Sequence, residues 1–131
     1  MDQKVKQTFT KEERLSSKKI IEELSQKGNS FTESPFKMIW LKIALQTKYP
    51  AQIVFGVPKR NFKKAVDRNK IRRRIKEAYR KNKHIFYNFL KEKDLQCALM
   101  LVYIAKTEVE YKEIESKIIL TLQRLVSKVA D

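Results

Sequence analysis

The residues best equipped for chemistry stand together. Between Lys59 and Lys83 lie Lys59, Arg60, Lys63, Lys64, Arg68, Lys70, Arg72, Arg73, Arg74, Lys76, Arg80, Lys81 and Lys83, opposed only by Asp67 and Glu77. This stretch carries a net +11 of the chain's formal +15. At 3.6 residues per turn, Arg68, Arg72 and Lys76 fall at i, i+4 and i+8, and Arg73, Lys76 and Arg80 extend a neighbouring ridge. Such a ridge can track a phosphate backbone. Arginine adds planar, forked hydrogen bonding to phosphate oxygens and stacks on exposed bases, which suits folded RNA. A merely solvated helix face is the plain alternative, but like charges at i and i+4 destabilise a helix, so a polyanion partner is the better reading.

Residues suited to covalent or acid–base catalysis are few. His84 is the single histidine, so a two-histidine nuclease mechanism lacks its second member, and its position suits a helix end or the surface. Cys97, the one cysteine, lies in an apolar run and reads as a core thiol; it has no disulfide partner and no neighbour at zinc-ligand spacing. Asp67 and Glu77 are nearly three turns apart and read as counter-charges, not as a metal pair. No catalytic or metal-binding set is therefore expected in the protein itself. At 131 residues, 42% hydrophobic, with two glycines and three prolines, the chain is expected to form one domain around one core. It has no apolar run of about 18 residues and no leader-like N-terminal order, so a cytoplasmic protein that avoids membranes is expected.

The elements that must present the basic stretch follow from periodicity. Met1 to Thr8 are polar and unpatterned and read as a frayed tail, with the domain proper spanning 9–131. Thr10-Lys11-Glu12-Glu13 has the form of a capping box, Phe9 can staple it, and Leu15, Ile20, Ile21 and Leu24 share a face, predicting a helix over 11–27 closed by a left-handed Gly28. Bulky and β-branched residues over 35–43 predict a largely buried strand. Lys48-Tyr49-Pro50 reads as a turn, and 51–57 as a second strand paired back in a hairpin and stopped by Pro58. A narrow stripe of Ala65, Ile71, Ile75, Ala78 and Tyr79 makes 59–82 an amphipathic helix with a basic outer face. A short helical turn over 84–90, a central strand over 95–105 and a last helix over 111–129 complete the order α-β-β-α-β-α, with room for a short strand near Phe31.

The stretch from Ala65 to Arg80, with Asp67-Arg68-Asn69-Lys70 and Arg72-Arg73-Arg74 at its centre, closely resembles the Arg-Asn-Arg helix of the bacterial ribonuclease P protein family. Val57-Pro58-Lys59-Arg60 is similar to the strand end and basic pair that lead into that helix. Arg14-Leu15, Lys27-Gly28-Asn29-Ser30-Phe31 and the strand from Phe36 match the family's layout, so the resemblance runs from about Phe9 to the last helix. It implies a single compact α+β domain, α-β-β-(β)-α-β-α, with a small mixed sheet, a left-handed crossover and a basic helix, a fold also found in a ribosomal-protein domain. It further implies a protein subunit that binds a catalytic RNA and the 5′ leader of precursor tRNA. The complex removes that leader by Mg²⁺-dependent hydrolysis, leaving a 5′ phosphate. The RNA carries the chemistry and most of the Mg²⁺, and the free protein is expected to be monomeric. The RNA-binding positions are then Lys59, Arg60, Lys63, Lys64, Arg68, Asn69, Lys70, Arg72, Arg73, Arg74, Lys76 and Arg80.

Two departures stand out. Lys70 replaces the motif's second arginine, keeping charge but losing the fork. The first helix of many members offers two aromatic residues to the leader cleft, where this chain has Ile21 and Ser25. Phe36, Trp40 and Phe55 are the alternative leader-binding residues, since an aromatic platform beside cations holds single-stranded RNA; each is equally readable as core. Other classes remain open from the residues alone: a ribosomal-type structural RNA binder, a DNA-binding basic helix, and a protein-only nuclease.

Overall fold

The strand Cys97–Tyr103 is apolar on both faces, and that decides the sheet. A strand of this composition loses least when it is paired on both edges and covered on both sides. The computed structural model describes residues 6–131, so Met1–Val5, most of the expected tail, lie outside the described residues. A 3₁₀ turn spans Lys11–Glu13, followed by α1 (Lys18–Lys27), β1 (Asn29–Glu33), β2 (Phe36–Lys42), β3 (Ala51–Gly56), α2 (Ala65–Asn82), α3 (His84–Lys93), β4 (Cys97–Tyr103) and α4 (Tyr111–Ala130). The sheet order is β1-β2-β4-β3. β1 and β2 run antiparallel with Asn29 opposite Trp40, and β2 and β4 antiparallel with Phe36 opposite Tyr103. β3 lies parallel to β4 with Ala51 opposite Cys97.

The hairpin expected between the second and third of these strands is therefore not formed, because β4 is inserted between them. The connection 43–50 is longer than a tight hairpin turn and leaves room for that insertion. Helices α2 and α3 form the crossover from β3 to its parallel neighbour β4. The short strand suggested near Phe31 is present as β1.

The larger core lies on one sheet face, where Phe36, Met38, Trp40, Ile53, Leu99, Leu101 and Tyr103 meet Ile71, Ile75 and Tyr79 of α2, Phe86 and Leu90 of α3, and Ile118 and Leu122 of α4. Each such side chain contributes roughly 1.5–3 kcal/mol on burial. On the other face a smaller cluster joins Leu15, Leu24 and Ala98 to Ile21, Ile39, Val54 and Met100, so α1 covers part of β2 and β4.

The first helix differs from expectation. It breaks at Arg14, which pairs in parallel with Ile53, and the Leu15 amide donates to the Ile53 carbonyl at 2.9 Å. The chain thus extends the free edge of β3 before the helix restarts at Lys18, with Ser17 Oγ accepting from the Ile20 amide. Gly28 ends α1 at φ −67°, not in the left-handed region. A side chain there would put its Cβ 2.4 Å from the Leu24 carbonyl oxygen and 2.8 Å from Ile39, so the glycine permits close approach of helix and sheet. The basic helix begins only at Ala65, itself exposed, with 57–64 as its lead-in loop, and the turn after it is a full helix, α3.

Candidate functional site

Helix α2 buries Ile71, Ile75, Ala78 and Tyr79 against the core, which turns its remaining positions outward. Over its 18 residues the cationic face runs about 27 Å at 1.5 Å per residue. The cations on it are not equivalent. Arg68 Nη1 donates to the carbonyls of Phe62 (2.7 Å) and Lys63 (2.9 Å), stapling the lead-in loop to the helix. Arg72 donates to Asn69 Oδ1 at 3.0 Å, so Asn69 orients a guanidinium. Lys70 and Arg74 both reach Glu108, at 3.0 and 2.8 Å, and Arg74 also donates to the Val109 carbonyl. Arg80 pairs with Glu77 and donates to the Gln7 carbonyl.

The ridge, opposed within its own stretch only by Asp67 and Glu77, is thus further neutralised by a remote carboxylate. Glu108 lies in the connection from β4 to α4 and is held below the usual carboxylate range chiefly by the hydrogen bond from Lys70, with the Lys70 and Arg74 charges adding to it against the opposing effect of burial. Its distance along the chain from α2 hides this pairing from any reading of the sequence. Among the described residues, no carboxylate lies within 4 Å of Lys59, Arg60, Lys63, Lys64, Arg73 or Lys76. All six are exposed, and the Lys76 ammonium sits 5.4 Å from the Phe9 ring centre. Lys70, Arg73, Arg74, Glu77 and Tyr111 line a shallow cleft of about 360 Å³ between α2 and α4.

Lys83 belongs to a different structure. It is 2% exposed, and its ammonium donates to the carboxylate of Glu13, itself fully buried, and to the Thr8 carbonyl. Tyr87 donates its hydroxyl to the same carboxylate at 2.6 Å, and the Thr10 amide donates to its other oxygen at 3.0 Å. Burial by itself would raise the Glu13 pKa; the bonds from Lys83, Tyr87 and Thr10 and the Lys83 charge outweigh it and hold the carboxyl low. Glu13 is therefore a capping-box residue that also carries a long-range ion pair. Together with Arg80, Lys83 pins Gln7 and Thr8, which the sequence assigned to a frayed tail.

The aromatic leader candidates need correction. Phe36 is 0% exposed and packs edge-on against Tyr103, and Trp40 is 9% exposed within the main core, because both alternate onto the face that α2, α3 and α4 cover. Neither offers a ring face for stacking. Phe55 is half-buried, sealed by Phe9 and Tyr79 with ring centres 5.9 and 5.7 Å away. Cys97 is buried, and burial pushes its thiol up to about 12, with Lys42 opposing slightly. His84 is exposed at the start of α3. Among the described residues no three His, Cys, Asp or Glu side chains converge to hold a metal, and no helix is long and apolar enough to cross a membrane.

A four-stranded mixed sheet with helices on both faces and a dense set of cations on one helix and the loop before it defines a small, basic α+β domain. The chain belongs to the Ribonuclease P family, whose model matches residues 9–129. The ribonuclease P protein component of Petrotoga mobilis is 30% identical over 129 residues, covering 91% of this chain and 96% of that one. The protein component of Porphyromonas gingivalis is 26% identical over 122 residues, covering 92% and 88%. Among solved structures, the RNase P protein from Thermotoga maritima aligns with a TM-score of 0.68 at 20% identity over 86% of this chain and 96% of that chain. That from Staphylococcus aureus aligns at 0.65 and 18% identity, over 91% and 95%. Those two likenesses establish the fold; the family follows from the sequence matches.

Proposed function

We propose that this chain is the RNA-binding protein subunit of ribonuclease P, docking on the catalytic RNA through α2 and its lead-in loop and assisting removal of the 5′ leader from precursor tRNA in the cytoplasm. The observation that carries this reading is the set of cations without a carboxylate partner among the described residues, Lys59, Arg60, Lys63, Lys64, Arg73 and Lys76, gathered on α2 and the loop before it. Phosphates would take the place of the missing carboxylates. Arg68 and Asn69 act one step back: the first shapes the loop carrying Lys59 to Lys64, and the second aims Arg72.

The leader reading moves to the opposite sheet face. There Ile21 of α1, Ile39, Val54 and Met100 pack around the buried Leu15, Leu24 and Ala98, while Val54, Gly56, Met100 and Val102 stay half-buried and Ser25 is exposed. This surface is aliphatic and offers no ring for base stacking, so the reading predicts weak sequence preference in the leader. The reading assigns Mg²⁺ mainly to the RNA and gives the protein the task of lowering phosphate repulsion and holding substrate, the hydrolysis leaving a 5′ phosphate. Precursor-tRNA cleavage at low Mg²⁺ by a bacterial catalytic RNA, with and without this protein and with an RNA-free control, tests it. Stimulated leader removal by the mixture alone is expected. RNA binding without stimulation would shift the reading to a structural RNA binder, and cleavage by protein alone would overturn the division of labour.

A further inference from the structure

At the end of the sheet remote from the start of α2, a cleft of about 580 Å³ opens between the connection 43–50 and the end of α3. The two ends are separated by β4, about 20 Å of strand at 3.3 Å per residue. Phe62, in the lead-in loop of α2, meets Tyr103 at one end of that strand, and Gln96 lines the cleft just before the other. Lys42, Lys48 and Lys91 surround the cleft, and all three are exposed. Among the described residues none of them has a carboxylate within 4 Å, although Asp94 also stands on the rim. Ile43, Pro50, Leu90 and Leu95 supply an apolar floor.

The walls are built. The Gln96 side chain accepts from the Leu45 amide at 2.8 Å and donates to the carbonyls of Thr47 and Tyr49, both at 2.9 Å. The Cys97 amide donates to the Pro50 carbonyl at 3.0 Å, and the Ile43 amide to the Gln96 carbonyl at 3.2 Å. These bonds hold the connection 43–50 against the start of β4, so the three lysines line a preformed cleft of a size that takes a small ligand group.

We infer that this cleft is a second anion site that holds a phosphodiester of RNA, separate from the α2 face. Charge complementarity selects the ligand: three ammonium groups without ion-pair partners against one carboxylate leave a local excess of positive charge that a backbone phosphate would neutralise. No aromatic side chain lines the cleft, so it grips backbone and sugar and reads no base. With cationic surfaces at both ends of the sheet, one molecule can bridge two RNA segments. The phosphate can come from the catalytic RNA or from precursor tRNA. The inference rests on the proposed RNA-binding function, and its test separates the two.

The test uses the full chain with Lys42→Gln, Lys48→Gln and Lys91→Gln together, compared with wild type and with a control triple on α4, Lys112→Gln, Lys117→Gln and Lys128→Gln. Affinity is measured against salt for the catalytic RNA alone, and for precursor tRNA binding to the assembled complex. Far-UV circular dichroism and thermal melting establish that the variants fold. The cleft variant is expected to bind one of the two RNAs more weakly than the control does, with the log affinity against log salt plot shallower by roughly 0.7–0.9 for each phosphate it no longer neutralises. The RNA affected identifies the source. Affinity and slope equal to those of the control for both RNAs, while wild type still binds, would overturn the cleft and leave the function intact. Failure of wild type to bind either RNA would overturn both.

Discussion

Replacing Glu13 by alanine isolates the one ion pair that is buried on both sides among the described residues, which ties the 3₁₀ turn to Lys83 just past the end of α2. The change leaves the Lys83 ammonium, 2% exposed, without its counter-charge, and strips Tyr87 and the Thr10 amide of their shared acceptor. Removing one partner of a buried pair costs about 3–5 kcal/mol. The Thr8 carbonyl remains as a partner for Lys83 and segment 7–13 can loosen to admit water, so about 3 kcal/mol is expected. For a domain of this size that is a large part of a total near 5–15 kcal/mol. Urea unfolding followed by Trp40, the only tryptophan and a core residue, provides the assay. Glu13→Leu combined with Lys83→Met removes both charges and should recover most of the loss. A cost below about 1 kcal/mol for Glu13→Ala, or a double variant as unstable as the single one, would refute the view that the buried charge sets the penalty. The folded pKa of Glu13 is depressed, so its contribution is complete above the ordinary value of 4.5 and is lost as pH falls through the lower folded value. Glu13→Gln should accordingly flatten the acid limb of the stability curve.

Reversing Arg73 and Lys76 to Glu should weaken binding to the catalytic RNA and reduce its salt dependence while melting shifts little, because neither has a carboxylate partner among the described residues; unchanged affinity with intact circular dichroism would contradict the α2 interface. Arg68 is a poorer probe of direct binding, since its reversal would also release the Phe62 and Lys63 carbonyls. Phe36→Ala should cost about 3–5 kcal/mol through the cavity it leaves, with leader affinity per folded molecule unchanged; a selective loss of leader binding in a fully stable variant would restore the stacking role. Cys97, with its thiol pushed up to about 12, should resist iodoacetamide near neutral pH until urea unfolds the chain, and rapid labelling of the native protein would contradict its burial.

What the amino-acid order determined by itself was local or periodic. The concentration of charge between Lys59 and Lys83, the apolar stripe of Ile71, Ile75, Ala78 and Tyr79, and most strands and helices depend on neighbours within a few residues, and spacing displays them directly. The family resemblance was legible for the same reason, because its motif lies within a single helix. The tertiary structure decided what depends on distant partners. It inserted β4 between β2 and β3 and laid α2, α3 and α4 over the face that carries Phe36 and Trp40, and an alternating pattern cannot say which face other elements will cover. The break at Arg14 follows from a free edge on β3, which exists only once the sheet is assembled. The pairing of Glu13 with Lys83 and of Glu108 with Lys70 and Arg74 likewise needed the folded chain to bring remote charges within bonding distance. Composition counts charges, but only packing determines which of them remain free to meet a phosphate.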